Sequence, residues 1–156
     1  MIEDRGRGRR WRRAEELAVP EAVLLSGLPG SPNVIVLAED VGRRTTRALA
    51  YGARLSPRRL SGLHLRVNER SAVRLQCKWE RRLPEVLLTV IDADGGSVAE
   101  SLRPMVEVEA ATEGPVVVVV PERRNPAFGV STAGGSLEIL SRLHDIPNTW
   151  VIMIPL

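Results

Sequence analysis

Short apolar runs alternate with segments of helical spacing from residue 33 to the end of the chain. The run from Val34 to Ala38 is rich in β-branched residues, as is typical of a strand that is buried on both faces. The five consecutive valines from Val116 to Val120 stand between two prolines and predict a central strand. Similar runs predict three further strands, at residues 62–67, 86–91 and 150–154.

The segments between these runs predict four helices, at residues 41–56, 69–83, 101–113 and 136–144. In the second, Ala72, Leu75 and Trp79 share one face at helical spacing. Asn68 and Ser101 fit the N-cap positions of the second and third helices. Alternating strands and helices predict an α/β fold, with a five-stranded parallel sheet covered by helices on both faces.

Charge divides the chain into a basic arm and a nearly neutral body. The formal net charge is +3, and residues 1–13 contain six arginines against two acids. Glycine and proline close this stretch, so we expect residues 1–32 to be a disordered arm and linker, and residues 33–156 to be the domain. The segment Arg5–Arg13 is a candidate contact for nucleic acid or an anionic membrane. The alternative is a solvated tail.

The reactive side chains indicate a binding protein rather than an enzyme. Cys77 is the only cysteine, so the chain forms no internal disulfide and is compatible with a cytoplasmic location. His64 and His144 are isolated, and the sequence contains no recognisable catalytic triad or zinc spacing.

Candidate ligand-binding residues follow two of the strands. Ligands of open parallel sheets bind beyond the carboxyl ends of the strands, where the strand order reverses. If the first and fourth strands flank that point, Glu39 and Asp40 line it and can accept hydrogen bonds from a ribose or a base. The alternative is that one of these acids caps the first helix.

The second loop at this point ends in Gly134, Gly135 and Ser136, just before the last predicted helix. Backbone N–H groups in such a turn can face an anion. The alternative is an ordinary turn in which Ser136 is the N-cap. The glycine motifs of P-loop and dinucleotide-binding proteins are absent from the sequence.

Two parts of the domain carry a family resemblance: residues 33–67, and the ending from Gly135-Ser136 to residues 147–152. Both resemble universal stress proteins. The segment Arg47–Tyr51, with Trp79-Glu80 and Pro121-Glu122, is more similar to the cytosolic C-terminal domain of bacterial amino-acid–polyamine–cation permeases, including potassium importers. The resemblance implies a non-enzymatic regulatory domain, with an adenine nucleotide as candidate cofactor and a membrane transporter as candidate partner. An adenine-nucleotide-using enzyme of the same broad fold is the alternative.

The chain departs from this resemblance at the phosphate loop. ATP-binding universal stress proteins have the pattern Gly-x2-Gly-x9-Gly-Ser/Thr, and here Glu122 and Asn125 stand in place of its first two glycines. A carboxylate at Glu122 would bring negative charge towards a triphosphate. We therefore expect ATP to bind weakly or not at all.

The last strand predicts a homodimer. We expect the sheet order 3-2-1-4-5, which makes the fifth strand an edge with unpaired backbone groups. Residues 150–154 carry no charge, and Trp150, Val151 and Ile152 are candidates for pairing with a second copy. The alternative is that residues 17–28 cover this edge.

Overall fold

The sheet has five strands, all parallel. A computed structural model describes residues 31–93, 97–122 and 132–155, without the side chains of Glu122 and of residues 132–137. The strands are β1 (Asn33–Leu37), β2 (Arg59–Arg66), β3 (Leu87–Asp92), β4 (Val116–Glu122) and β5 (Thr149–Pro155). Their order across the sheet is β3-β2-β1-β4-β5, which confirms the predicted topology.

Four helices connect the strands and cover both faces of the sheet. They are α1 (Arg43–Arg54), α2 (Glu69–Arg82), α3 (Val98–Thr112) and α4 (Thr132–Leu143). The core residues of α1 and α2 share one cluster, and those of α3 and α4 share the other. Right-handed crossovers explain this, because the chain moves one way along the sheet from β1 to β3 and the other way from β4 to β5.

The valine run lies at the centre of both clusters. Val116, Val118 and Val120 pack towards α3 and α4, whereas Val117 and Val119 pack towards α1 and α2. Successive side chains of a strand point to opposite faces, so a strand with a helix layer on each side is apolar at every position.

Helix α2 lies very close to the sheet where it crosses β2. A Cβ added to Gly62 would stand 2.4 Å from the Cη2 atom of Trp79. The Trp79 ring is buried, and its Nε1–H donates to the carbonyl of Val86 at 2.7 Å. Glycine at position 62 therefore makes room for the indole.

One of the two predicted helix caps is wrong. Asn68 caps α2 as expected, because its Oδ1 accepts from the N–H of Arg70 at 2.9 Å. The cap of α3 is Ser97 and not Ser101, since the Oγ of Ser97 accepts from the N–H of Glu100 at 3.2 Å. Serine followed three residues later by glutamate fits a capping box, and this helix consequently contains Pro104 in its interior.

The described chain is fixed to the sheet from Pro32 onwards. The carbonyl of Pro32 accepts from the N–H of Arg58 at 2.9 Å, and the N–H of Asn33 donates to the carbonyl of Pro115 at 2.8 Å. The basic arm lies outside the described residues. Among the helices in the described ranges, none is long and apolar enough to cross a membrane.

Candidate functional site

The strand order reverses between β1 and β4. These strands are parallel neighbours with Val36 opposite Val119, and β4 continues to Glu122. Glu39 and Asp40 follow β1, so the structure brings these acids and the end of β4 to the same edge of the sheet. This is the edge at which open α/β sheets bind ligands.

Asp40 holds the loop between β1 and α1. Its Oδ1 accepts from the N–H of Gly42 at 2.8 Å and from the hydroxyl of Thr45 at 3.4 Å. The N-cap of α1 is Gly42, which has no side chain to accept a hydrogen bond. Neither Glu39 nor Asp40 is therefore the N-cap of α1, and the carboxylate of Asp40 instead holds the loop that leads into the helix.

Glycine at position 42 leaves room for the carboxylate of Asp40, which a larger residue would displace. A Cβ there would lie 2.9 Å from Oδ1 of Asp40. The carboxylate of Asp40 is thus partly used within the loop, and the side chains of Asp40 and Glu39 are both exposed at the edge of the sheet.

His64, an isolated histidine in the sequence, lies next to the candidate site residues. It lies half-buried near the end of β2, and its Nδ1 is 2.8 Å from the carbonyl oxygen of Ala38. A carbonyl oxygen only accepts, so Nδ1 carries the proton in this contact. The N–H of Ala38 also donates to the carbonyl of Leu63 at 2.8 Å, and both contacts fix the chain just before Glu39.

Cations also lie at this edge. Arg43 and Arg44 form the first turn of α1, which contains no acid. A helix N-terminus already favours negative charge. At the ends of β2 and β3, the Nε–H of Arg66 donates to Oδ1 of Asp92 at 2.6 Å. The positive charge of Arg66 is therefore already neutralised by Asp92.

The Gly134-Gly135-Ser136 segment lies inside a helix. Helix α4 begins at Thr132, four residues earlier than expected, so Ser136 is not its N-cap. The two glycines belong to the beginning of the helix and not to a turn before it. The side chain of Ser136 and residues 123–131, with Asn125, lie outside the described residues, so their part in ligand binding stays a prediction.

Among the residues that the structure describes, no group of three His, Cys, Asp or Glu side chains is placed to hold a metal ion.

Comparison with models of known families matches residues 31–156 to the KimA potassium transporter C-terminal domain. A search of curated proteins returned no match at the significance required.

Proposed function

The chain belongs to the family of KimA potassium transporter C-terminal domains, and from this premise we propose that it is a cytoplasmic, non-enzymatic domain that regulates a membrane transporter. The family match carries the proposal, since it covers the whole of the described domain. The resemblance to universal stress proteins stays a prediction, and it is the reason for considering an adenine nucleotide as the ligand.

The ligand we propose is an adenine nucleotide with few phosphate groups, bound at the edge between β1 and β4. Three features support it: the position at the reversal of strand order, the fixed loop at Asp40, and the arginines in the first turn of α1. Glu39 and Glu122 add negative charge at the same edge, which disfavours a triphosphate. Gly134, Gly135 and Ser136 are proposed as the phosphate side of this site.

Calorimetry on the full chain with Mg-ATP, AMP and a cyclic di-adenine nucleotide tests the ligand. We expect binding of AMP or the cyclic dinucleotide and little heat with Mg-ATP. A dissociation constant for Mg-ATP in the low micromolar range, which corresponds to about −8 kcal/mol, would contradict the argument from Glu122. Heat with none of the three nucleotides would remove nucleotide sensing from the proposal.

A matched pair of variants locates the ligand. Glu39→Gln removes one carboxylate at the proposed edge, and Glu85→Gln removes one just before β3, at the opposite end of the sheet. Both side chains are exposed, and circular dichroism checks that each variant keeps its fold. Only Glu39→Gln should change the affinity for a nucleotide, and equal effects of the two variants would place the ligand elsewhere.

We also propose that two copies of the domain pair through β5. This strand is an edge of the sheet, and all seven of its residues are only half-buried. It carries no charged side chain, and Trp150, Val151 and Ile152 present apolar surface on both of its faces. Soluble proteins usually protect such an edge with charge, a bulge or a cover, and a second copy of the domain would supply the cover.

Light scattering at micromolar concentration tests the dimer. Val151→Lys adds a charge at the edge, and Ile152→Pro removes a backbone donor, so either should give a monomer. A monomeric parent chain would refute the pairing, and a dimer that survives both substitutions would place the interface elsewhere.

A further inference from the structure

Helices α1 and α2 each carry a row of arginines with the same spacing. The row on α1 is Arg43, Arg47 and Arg54, and the row on α2 is Arg70, Arg74 and Arg81. Counted along the chain from the first arginine of each row, the three arginines stand at the first, fifth and twelfth positions. At 3.6 residues per turn these positions fall on one side of a helix.

Both rows face away from the sheet. The buried residues of α1 are Thr45, Ala48, Leu49 and Gly52, and those of α2 are Ala72, Leu75 and Trp79. In each helix, the arginine row lies on the side opposite to these buried residues. All of the arginines in the two rows are exposed except Arg54, which is half-buried. The eighth position of each row is a small residue, Ala50 or Cys77, so neither row is interrupted by a bulky side chain.

The two rows form one surface, because α1 and α2 lie in the same helix layer. Along each helix, the eleven residue steps from the first to the last arginine of the row rise about 16 Å. The rows therefore define a basic face on this side of the sheet, with Lys78 beside the row of α2. We call it the α1/α2 basic face, and define it by Arg43, Arg47, Arg70, Arg74, Lys78 and Arg81.

The charge of this face is not neutralised by neighbouring acids. Helix α1 has four arginines and no acid, and α2 has five cations against Glu69 and Glu80, which lie beside the row and not in it. Within the described residues, none of the six members of the face forms an ion pair.

The opposite helix layer has the opposite balance. Helix α3 contains three glutamates and one arginine, and that arginine, Arg103, is paired with Glu107 and Asp145. The domain is therefore polarised across its sheet, with a basic surface on one side and a weakly acidic one on the other.

We propose that the α1/α2 basic face binds the anionic phospholipid surface of a membrane. This inference rests on the proposed function, because a transporter domain is held close to a bilayer. Arginine binds phosphate oxygens through paired N–H groups, and a surface with two exposed arginine rows can contact several lipid phosphates at once. The acidic α3 surface then faces away from the lipid, which sets the orientation of the domain.

Other basic-face partners fit this geometry less well. The cytoplasmic loops of membrane proteins themselves carry an excess of lysine and arginine, so they would repel this face. Proteins that read DNA commonly insert one helix or a ribbon into the major groove, whereas α1 and α2 lie side by side in a layer. The rows contain no aromatic side chain, so we expect a salt-dependent contact with lipid phosphates and no insertion among the acyl chains.

Vesicle flotation of the full chain tests the proposal. Phosphatidylcholine vesicles with phosphatidylglycerol should bind the chain, and vesicles of phosphatidylcholine alone should not. Raising the salt from about 0.1 M to about 1 M shortens the Debye length from about 10 Å to about 3 Å and should release the chain. Equal binding to the neutral and the anionic vesicles, at both salt concentrations, would overturn the proposal.

Two matched variants identify the surface responsible. The first combines Arg47→Gln, Arg70→Gln, Arg74→Gln and Arg81→Gln on the basic face. The second combines Arg5→Gln, Arg7→Gln, Arg9→Gln and Arg10→Gln in the N-terminal arm, and makes the same change in net charge. Each basic residue at an anionic membrane contributes about five-fold in affinity. We therefore expect the first variant to bind the anionic vesicles at least ~100-fold more weakly than the parent, and the arm variant to stay within a few-fold of the parent.

Equal losses in the two variants would mean that binding follows net charge alone, and a loss confined to the arm variant would assign binding to the arm; either result overturns the proposal. So would tighter binding of a DNA duplex than of the anionic vesicles. Circular dichroism checks that the first variant keeps its fold, as expected for exposed side chains. The assay contains neither nucleotide nor transporter, so its failure would leave the proposed regulatory function standing.

Discussion

The close approach of α2 to the sheet predicts a large cost for a single methyl group at Gly62. The new Cβ of Gly62→Ala would lie 2.4 and 2.6 Å from two ring atoms of Trp79, and 3.2 Å from Leu88. The ring cannot simply rotate, because it is buried and its Nε1–H is bonded to the carbonyl of Val86. The helix must therefore move outwards, or the indole must leave its place.

The expected magnitude follows from two opposing effects. Overpacking a core typically costs about 1–3 kcal/mol, and replacing glycine in the unfolded chain returns about 0.4–1 kcal/mol. We expect Gly62→Ala to lower the free energy of unfolding by about 1–2 kcal/mol, which lowers the urea midpoint by roughly 0.5–1 M. Equilibrium urea unfolding followed by Trp fluorescence and circular dichroism measures both.

Two controls make this prediction specific. Gly52→Ala on α1 should cost less, because its new Cβ would lie farther from its neighbours, at 2.8 Å from Val34 and 3.0 Å from Leu60, and the helix gains about 1 kcal/mol of propensity. In a Trp79→Phe background the cost of Gly62→Ala should fall, because the smaller ring lacks the clashing atoms. A Gly62→Ala protein that unfolds at the parental midpoint would refute the packing argument.

Three further predictions concern caps, pH and the domain boundary. Ser97→Ala should lower stability by about 1 kcal/mol through loss of the α3 cap, and Ser101→Ala should have a smaller effect; the opposite ranking in urea unfolding would restore Ser101 as the cap. The guanidinium of Arg103 lowers the pKa of Asp145 below its usual 3.8, mainly through a hydrogen bond, so this pair stabilises the fold above about pH 4 and the contribution is lost as the pH falls through the lowered pKa. The stability difference between the parent and Arg103→Gln should therefore shrink in acid, and a difference independent of pH would exclude the pair as its source. A chain that begins at Ser31 should unfold at nearly the parental midpoint, and a loss of several kcal/mol would mean that the arm packs on the domain.

The sheet topology could be predicted because its signals lie along the chain. The valine run is apolar at every position, as a doubly covered central strand requires, and the alternation of strands and helices fixes the rest. The first residue of a helix is harder to predict from the sequence, since serines four residues apart both fit the start of α3. The glutamate three residues after Ser97 is the signal that distinguishes them.

The candidate site could be placed in the fold from the sequence, but its contacts could not. The order of strands brings Glu39 and Asp40 to the carboxyl edge, whereas the hydrogen bond of His64 to the Ala38 carbonyl depends on side-chain direction between neighbouring strands. The arginine rows are visible in the sequence as equal spacings. That they share one surface follows only from the handedness of the crossovers, which puts α1 and α2 in one layer.

Potassium uptake, followed with rubidium, tests the central claim most directly. Uptake is compared between cells with the intact gene, cells in which residues 33–156 are deleted, and cells in which only residues 1–30 are deleted. A regulatory domain predicts that loss of residues 33–156 changes the rate of uptake or its dependence on external potassium, while loss of the arm leaves that dependence near the parental one. Identical uptake curves with and without residues 33–156, over the full range of external potassium, would contradict the proposed function.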